Sequence, residues 1–256
     1  MHHNAALWLM FSAFALSVGS FLNVVIYRLP QNILHPEVPL TLALPRSHCP
    51  YCKTPLRLRD NLPLIGWLRL RGRCFHCQHP ISVRYPATEL LTLVCSALLA
   101  IFLPWDLTLG AALLLCWMLL ALVLIDLEHQ LLPDTLTLPL LWAGLLAKVS
   151  GILPGSLDDA ILGAAAGYLT LWLLATLYRH WRGIDALGMG DAKLLAAFGA
   201  WLGWQALPTL LLLAAAGGIV VTVAAHLLQG RDLHQPVPFG PFLSLAGAGL
   251  FIAALI

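Results

Sequence analysis

The chain reads as an all-α polytopic membrane protein, with about eight transmembrane helices and a cytoplasmic zinc-binding loop after the first. Three observations predict this. Of 256 residues, 60% are hydrophobic and only 10% are charged, whereas a soluble domain averages about 25% charged; the mean hydropathy is +0.84. Apolar stretches recur along the chain, several of them near the ~20 residues that cross a hydrocarbon core of about 30 Å. Nine of the fourteen Lys and Arg residues fall between Arg28 and Arg84. A basic cluster could bind nucleic acid. In a polytopic protein the positive-inside rule explains it more simply, so no nucleic acid is expected as a partner.

The first apolar stretch, Ala5 to Tyr27, is long enough to span. Met1-His2-His3-Asn4 carries no Lys or Arg, and the positive charges follow the stretch. A secretory signal has the opposite order, so a retained helix with its N-terminus outside is expected. His2 and His3 are given no role. A polar loop, Leu29 to Tyr85, comes next. The second stretch is Thr88 to Leu103, closed by the turn Pro104-Trp105-Asp106. The third is Leu107 to Ile125 and the fourth Thr135 to Ala147, with the polar turn Asp126 to Asp134 between them. The breakers of Gly151-Ile152-Leu153-Pro154-Gly155 mark a loop. The fifth stretch is Leu157 to Leu177. Tyr178 to Asp191 is polar and contains glycine. The sixth, Ala192 to Leu202, is short enough to be only partly spanning. The seventh is Ala206 to Leu228 and the eighth Phe242 to Ile256.

Eight crossings from an outside N-terminus put the large loop in the cytoplasm, with the turns at 126–134, 178–191 and 229–241. Thirteen of the fourteen basic residues then lie on that side, all but Lys148. The helix count made this assignment, so the charge bias is a separate check on it. Three regions follow: a first transmembrane helix at 1–28, a cytoplasmic loop at 29–86, and a transmembrane core at 87–256.

Cys49-Pro50-Tyr51-Cys52 and Cys74-Phe75-His76-Cys77 are two CxxC pairs with 21 residues between them. Paired thiolates at this spacing suit a tetrahedral structural zinc site. Cytoplasmic thiols stay reduced, which disfavours two disulfides. A loop this small also needs a staple in place of a core. His48, His76 and His79 are adjacent, but four thiolates already close the shell. Cys95 and Cys116 stand alone in apolar stretches and read as small buried hydrophobes.

Gly188-Met189-Gly190-Asp191 sets a carboxylic acid against the start of an apolar helix. A charge at bilayer depth is costly, so such an Asp is a functional-site hypothesis by default. The glycines allow a tight turn and close approach of another chain. Asp126 ends another apolar run, on the same membrane face in the topology above. Two carboxylates can share one proton, one as base and the other as acid, which is the chemistry of an aspartic protease. The plainer alternatives for Asp126 are a helix cap or a counter-ion to Lys193. Asp134 reads as an N-cap. Asp158 and Asp159 suit the positive end of a helix dipole. Trp105, Trp142, Trp201 and Trp204 suit an interfacial belt. Glu128 and His129 could assist catalysis, although solvated turn residues are the simpler reading.

These motifs together resemble the type 4 prepilin peptidase family of type IV pilus and type II secretion systems. The likeness covers nearly the whole chain. It begins with Gly19-Ser20-Phe21-Leu22-Asn23-Val24-Val25-Ile26-Tyr27-Arg28-Leu29-Pro30, then the two CxxC pairs. Asp60-Asn61-Leu62-Pro63-Leu64-Ile65 and Ile81-Ser82-Val83-Arg84-Tyr85-Pro86 also belong to it. So do Ile125-Asp126, Leu132-Pro133-Asp134, the Gly188–Leu194 run and Pro238-Phe239-Gly240-Pro241. The resemblance implies a bacterial inner-membrane enzyme with Asp126 and Asp191 as its protease pair. It would cut the leader of prepilins or pseudopilins after a glycine at the cytoplasmic face. It would then methylate the new N-terminal residue, usually Phe, with S-adenosylmethionine. The cysteine loop favours both activities over a peptidase alone. The rivals from other classes are an ion-coupled transporter or channel with both aspartates in the ion path and a non-catalytic membrane assembly factor with a zinc-ribbon loop.

Overall fold

The computed structural model describes residues 5–37, 40–183, 188–230 and 237–255. His2, His3 and Arg231 lie outside them, as do parts of the turns expected at 178–191 and 229–241. Nine α-helices order the described chain: α1 Ala5–Leu34, α2 Ile65–Arg69, α3 Arg84–Phe102, α4 Leu107–His129, α5 Asp134–Val149, α6 Leu157–Arg182, α7 Met189–Leu202, α8 Leu207–Gln229 and α9 Gly240–Leu255. Among the described residues the only β pairing is two isolated bridges. Each of the eight apolar stretches is a helix, and the short α2 lies in the loop. The ends differ from expectation in one consistent way. Helices run on through polar residues where hydropathy stops, because a backbone inside or beside lipid must keep its own hydrogen bonds. So α1 continues through Pro30 to Leu34, and α4 carries Asp126 inside it rather than in a turn.

Five helices are long and apolar enough to cross a bilayer: α1, α3, α4, α6 and α8 with the short turn before it. α5, α7 and α9 have 16, 14 and 16 residues, short of the ~20 that a full crossing takes.

The chain divides into two compact units, Met1–Phe102 and Leu103–Ile256. In the first, α1 packs on α3. A side chain at Gly19 would meet the α3 backbone at Glu89, 2.8 Å away. Arg28 is buried at the end of α1 and donates to the carbonyls of Thr41 and Pro45, which ties the loop to the helix. Asp60 and Arg69 pair at 2.9 Å.

In the second unit α7 is the central helix, buried from Asp191 through Trp201 except for Lys193. It crosses α6 where Gly163 meets Gly199; a side chain at either would strike the other's backbone. On α5, Gly144 accommodates the Trp201 ring. Trp201 is therefore not the interfacial residue that its place near a helix end suggested. It is 2% exposed, its Nε1 donates to the Leu140 carbonyl at 2.8 Å, and its ring packs edge-on to Phe251. Trp142 and Trp204 are exposed, as expected. At the start of α6, Ser156 caps the helix through Asp159 N–H at 3.0 Å, and Asp159 also accepts from Trp204 and Gln205.

Candidate active site and metal centre

Three helix ends meet around the aspartates. α4 carries Asp126 within its last turn, and Gln130 ends that helix in a left-handed conformation. Gly188 caps α7, so Asp191 is its third residue. That position faces the partial positive charge of a helix N-terminus, which favours a carboxylate. α9 opens at Gly240-Pro241, and the Gly240 N–H donates to Asp126 Oδ2 at 3.0 Å.

Both carboxylates are buried, Asp126 at 5% and Asp191 at 8% exposure. They lie close enough for Asp191 to feel the charge of Asp126. Asp191 Oδ1 has no hydrogen-bond partner among the described residues. Leu132 links the two sides: side chains added at Gly190 and at Gly240 would both meet it. The glycines leave room for the acids. A Cβ at Gly240 would lie 2.6 Å from Asp126 Oδ2, and one at Gly188 would lie 3.3 Å from Asp191 Oδ2.

The alternatives for Asp126 both fall away. It is no helix cap, and Lys193 pairs with Asp134 instead, at 2.6 and 2.7 Å. Asp134 is correspondingly not the N-cap expected of it. Pro133 holds the cap position and Asp134 is the first residue of α5. Glu128 and His129 approach each other to 3.9 Å. Sequence reasoning did not single out Gly240 as a donor to Asp126. Its one local signal is a Gly-Pro pair at a helix start, where proline's missing N–H costs nothing.

Two buried carboxylates on helix ends that both reach Leu132, one of them with an unmatched oxygen, can hold and activate a water. One acts as base while its protonated partner donates to a carbonyl oxygen. Such a pair titrates as a unit.

The four loop cysteines converge as the spacing predicts. Their Sγ atoms all lie within 4.8 Å of one another, with Cys49–Cys77 at 3.8 Å and Cys52–Cys74 at 3.9 Å. The halves repeat one local design. The Cys49 N–H donates to Thr54 O and the Cys74 N–H to His79 O. Lys53 and Gln78 turn the chain at φ 59 and 58. The bridges His48–Pro55 and Arg73–Pro80 close the two turns. This cluster can bind a metal ion. Thiolates at about 2.3 Å from a tetrahedral zinc stand about 3.8 Å apart, so the donor set fits one. Hydrogen bonding to Thr54 lowers the pKa of the Cys52 thiol, while burial and the neighbouring thiols raise that of Cys77. Tyr51 stacks on His79, and Arg57 lies over Phe75, which packs the outside of the cluster.

Residues 13–103 match the family described as Bacterial Peptidase A24 N-terminal domain, and residues 113–223 match the Type IV leader peptidase family. A protein of Aeromonas hydrophila named prepilin leader peptidase/N-methyltransferase is 48% identical, over 94% of this chain and 89% of its own. Proteins of the same name from Pectobacterium carotovorum subsp. carotovorum and Legionella pneumophila are 48% and 43% identical. They cover 91% and 94% of this chain, and 88% and 89% of their own. No solved structure matches. With such identity over nearly its full length, and with both family domains in order, the chain belongs to the type IV leader peptidase family.

Proposed function

We propose that this protein removes the leader peptide of type IV prepilins or pseudopilins and then N-methylates the new N-terminal residue, with S-adenosylmethionine as methyl donor. Asp126 and Asp191 are the peptidase pair. One, ionised, takes a proton from the attacking water. Oxygen attacks the scissile carbonyl while the other carboxyl donates to its oxygen. The leaving amine is then protonated by the pair. The Gly240 N–H holds Asp126 in orientation, and the start of α7 holds Asp191.

The observation that carries this reading is the pairing of two buried carboxylates from separate helices, framed by glycines that leave them room. The tetracysteine cluster binds zinc as a structural staple and not as a water activator, since four thiolates leave no open position. The loop of residues 29–86 serves methyl transfer, and the transmembrane core of 87–256 carries the proteolytic aspartates. The protein resides in the bacterial inner membrane with its N-terminus in the periplasm. The loop and the aspartates face the cytoplasm, where water and the hydrophilic leader are.

The test is prepilin processing by Asp126→Asn and Asp191→Asn. Each variant should insert and fold yet cleave slower by at least about a thousandfold, as expected when a unit of acid–base groups loses a member. Near-normal processing by either would remove that residue from the mechanism. Mass spectrometry of the product reports methylation in the same sample.

A further inference from the structure

The first unit buries polar groups that neither the aspartate pair nor the tetracysteine cluster uses. Thr88, Thr92 and Ser96 are buried along α3, and each donates to a carbonyl one turn earlier. Asn23 and Glu89 are different. Asn23 is 4% exposed and spends its amide N–H on the Tyr85 carbonyl at 3.0 Å. Its Oδ1 has no partner among the described residues. Glu89 is 7% exposed. Its carboxylate accepts the Leu64 N–H at 2.7 Å and a bond from the Ser20 hydroxyl. Among the described residues no cation pairs with it.

These groups share one location. Gly19 faces Glu89 and Thr92, and Asn23 faces Tyr85, so α1 and α3 run antiparallel with Ser20 and Asn23 against the start of α3. A carboxylate offers about four lone-pair positions, and only two are taken here. With the Leu64, Ser20 and Asn23 donors already spent, the lining among the described residues is rich in acceptors, holds one carboxyl group and lacks a free donor. Buried acceptors without donors are costly. What this place would take is a group with several N–H donors and a positive charge.

We infer that Asn23 and Glu89 bind the α-amine of the cleaved substrate for methyl transfer, an inference that rests on the function proposed above. The ammonium gives one proton to the Glu89 carboxylate. The neutral amine then keeps two N–H bonds for two acceptors, Asn23 Oδ1 and Glu89. That arrangement leaves its lone pair free to attack the methyl carbon of a methylsulfonium donor. The new N–C bond forms as the C–S bond breaks. The bonding pair stays on sulfur as a thioether, and the positive charge passes to the methylated nitrogen. Glu89 later releases its proton to water. The carboxylate also fastens the loop through Leu64, which holds a strained φ of 57. That bond alone would be kept by an amide.

The experiment uses the full chain in lipid nanodiscs and a short peptide that begins with Phe, either with a free N-terminus or N-acetylated. Wild type should bind the free-amine peptide about tenfold or more tightly than the acetylated one, the range of a charge-assisted hydrogen bond. Glu89→Gln keeps an acceptor for Leu64. It should abolish that preference and slow methyl transfer by about a hundredfold or more, as for loss of a general base. Prepilin cleavage and metal content should not change. Asn23→Ala should raise KM for the peptide with a smaller effect on kcat. Equal binding of the two peptides by wild type would overturn the inference with no variant needed. Methyl transfer by Glu89→Gln within twofold of wild type would overturn it too, as would parallel loss of cleavage and metal, which marks a scaffold residue. A wild-type protein that cleaves and methylates nothing would instead overturn the function proposed above.

Discussion

Gly240→Ala separates folding from chemistry in the peptidase site. The added Cβ would stand 2.6 Å from Asp126 Oδ2 and 3.2 Å from Leu132 Cδ1. Ordinary contact begins near 3.4 Å, so the carboxylate must retreat by about 0.8 Å. Rotating a side-chain end is cheap for the fold. Overpacking of this kind typically costs about 1–3 kcal/mol. The retreat also breaks the 3.0 Å bond from the Gly240 N–H that orients the acid. A misplacement near 1 Å at a reacting group can cost about a hundredfold in rate, or roughly 2.7 kcal/mol of barrier. The expectation is a kcat for prepilin cleavage down by about tenfold to a hundredfold. The yield of inserted protein should be near normal. Gly188→Ala should do less, since its Cβ would stand 3.3 Å from Asp191 Oδ2, only just inside ordinary contact. Gly110→Ala, with nothing within 4 Å, is the control. Purified variants in nanodiscs, scored by the gel shift of prepilin to mature pilin, give the three rates. Cleavage by Gly240→Ala within twofold of wild type would refute the reasoning. So would equal impairment of Gly110→Ala, which would point to a general effect of an added methyl and not to the carboxylate.

Further outcomes can be measured on the same preparations. Metal analysis should give about one zinc per chain, lost on Cys→Ser at any of Cys49, Cys52, Cys74 or Cys77. Those variants should lose methylation more than cleavage, read from the ratio of methylated to unmethylated mature pilin by mass spectrometry. Lys193→Ala should cost only about 0.2–1 kcal/mol and leave cleavage within a few fold, because its partner Asp134 is 55% exposed on the side chain; a thermal melt and a cleavage rate check both. Gly199→Val should prevent stable packing of α7 on α6, since even a Cβ would strike the Gly163 backbone. Its inserted yield should fall well below that of Gly110→Val.

Much of this fold was legible because membranes make local pattern decisive. Each of the eight apolar stretches is a helix among the described residues, though five are long enough to cross, and the CxxC spacing located a cluster that does converge. Their cost in an apolar context singled out Asp126 and Asp191, and both side chains are buried. What hydropathy misplaced were boundaries. It treats Asp126 as a break, although the α4 hydrogen-bond ladder continues past it to Gln130. The partners were not legible at all. Lys193 pairs with Asp134 at a separation of 59 residues, and Gly240 reaches Asp126 over 114. Trp201 looked interfacial by position, yet a space at Gly144 on another helix buries it. Asn23 lay inside a quoted motif and Glu89 inside an apolar stretch, both without a role. Only the facing of α1 on α3 reveals that, among the described residues, one oxygen lacks a donor and the carboxylate lacks a cation.

The shortness of α7 is what makes Asp191 a defined acid. At 14 residues it meets lipid poorly, but it is walled by α5, α6 and α9 along its length. Gly163 and Gly199 bring α6 to backbone contact, and Gly247 brings α9 against Phe198. A helix fixed at this many points cannot turn or slide without opening voids or clashes, which dense interiors penalise steeply. Its first turn therefore inherits the precision of the packing below it, and Asp191 sits in that turn. Gly188 and Gly190 have another task from Gly163 and Gly199. They leave room around the carboxylates, where a side chain would push the acids or Leu132 aside. Glycines deep in the unit thus hold the helix in place, and glycines at its mouth keep the chemistry clear.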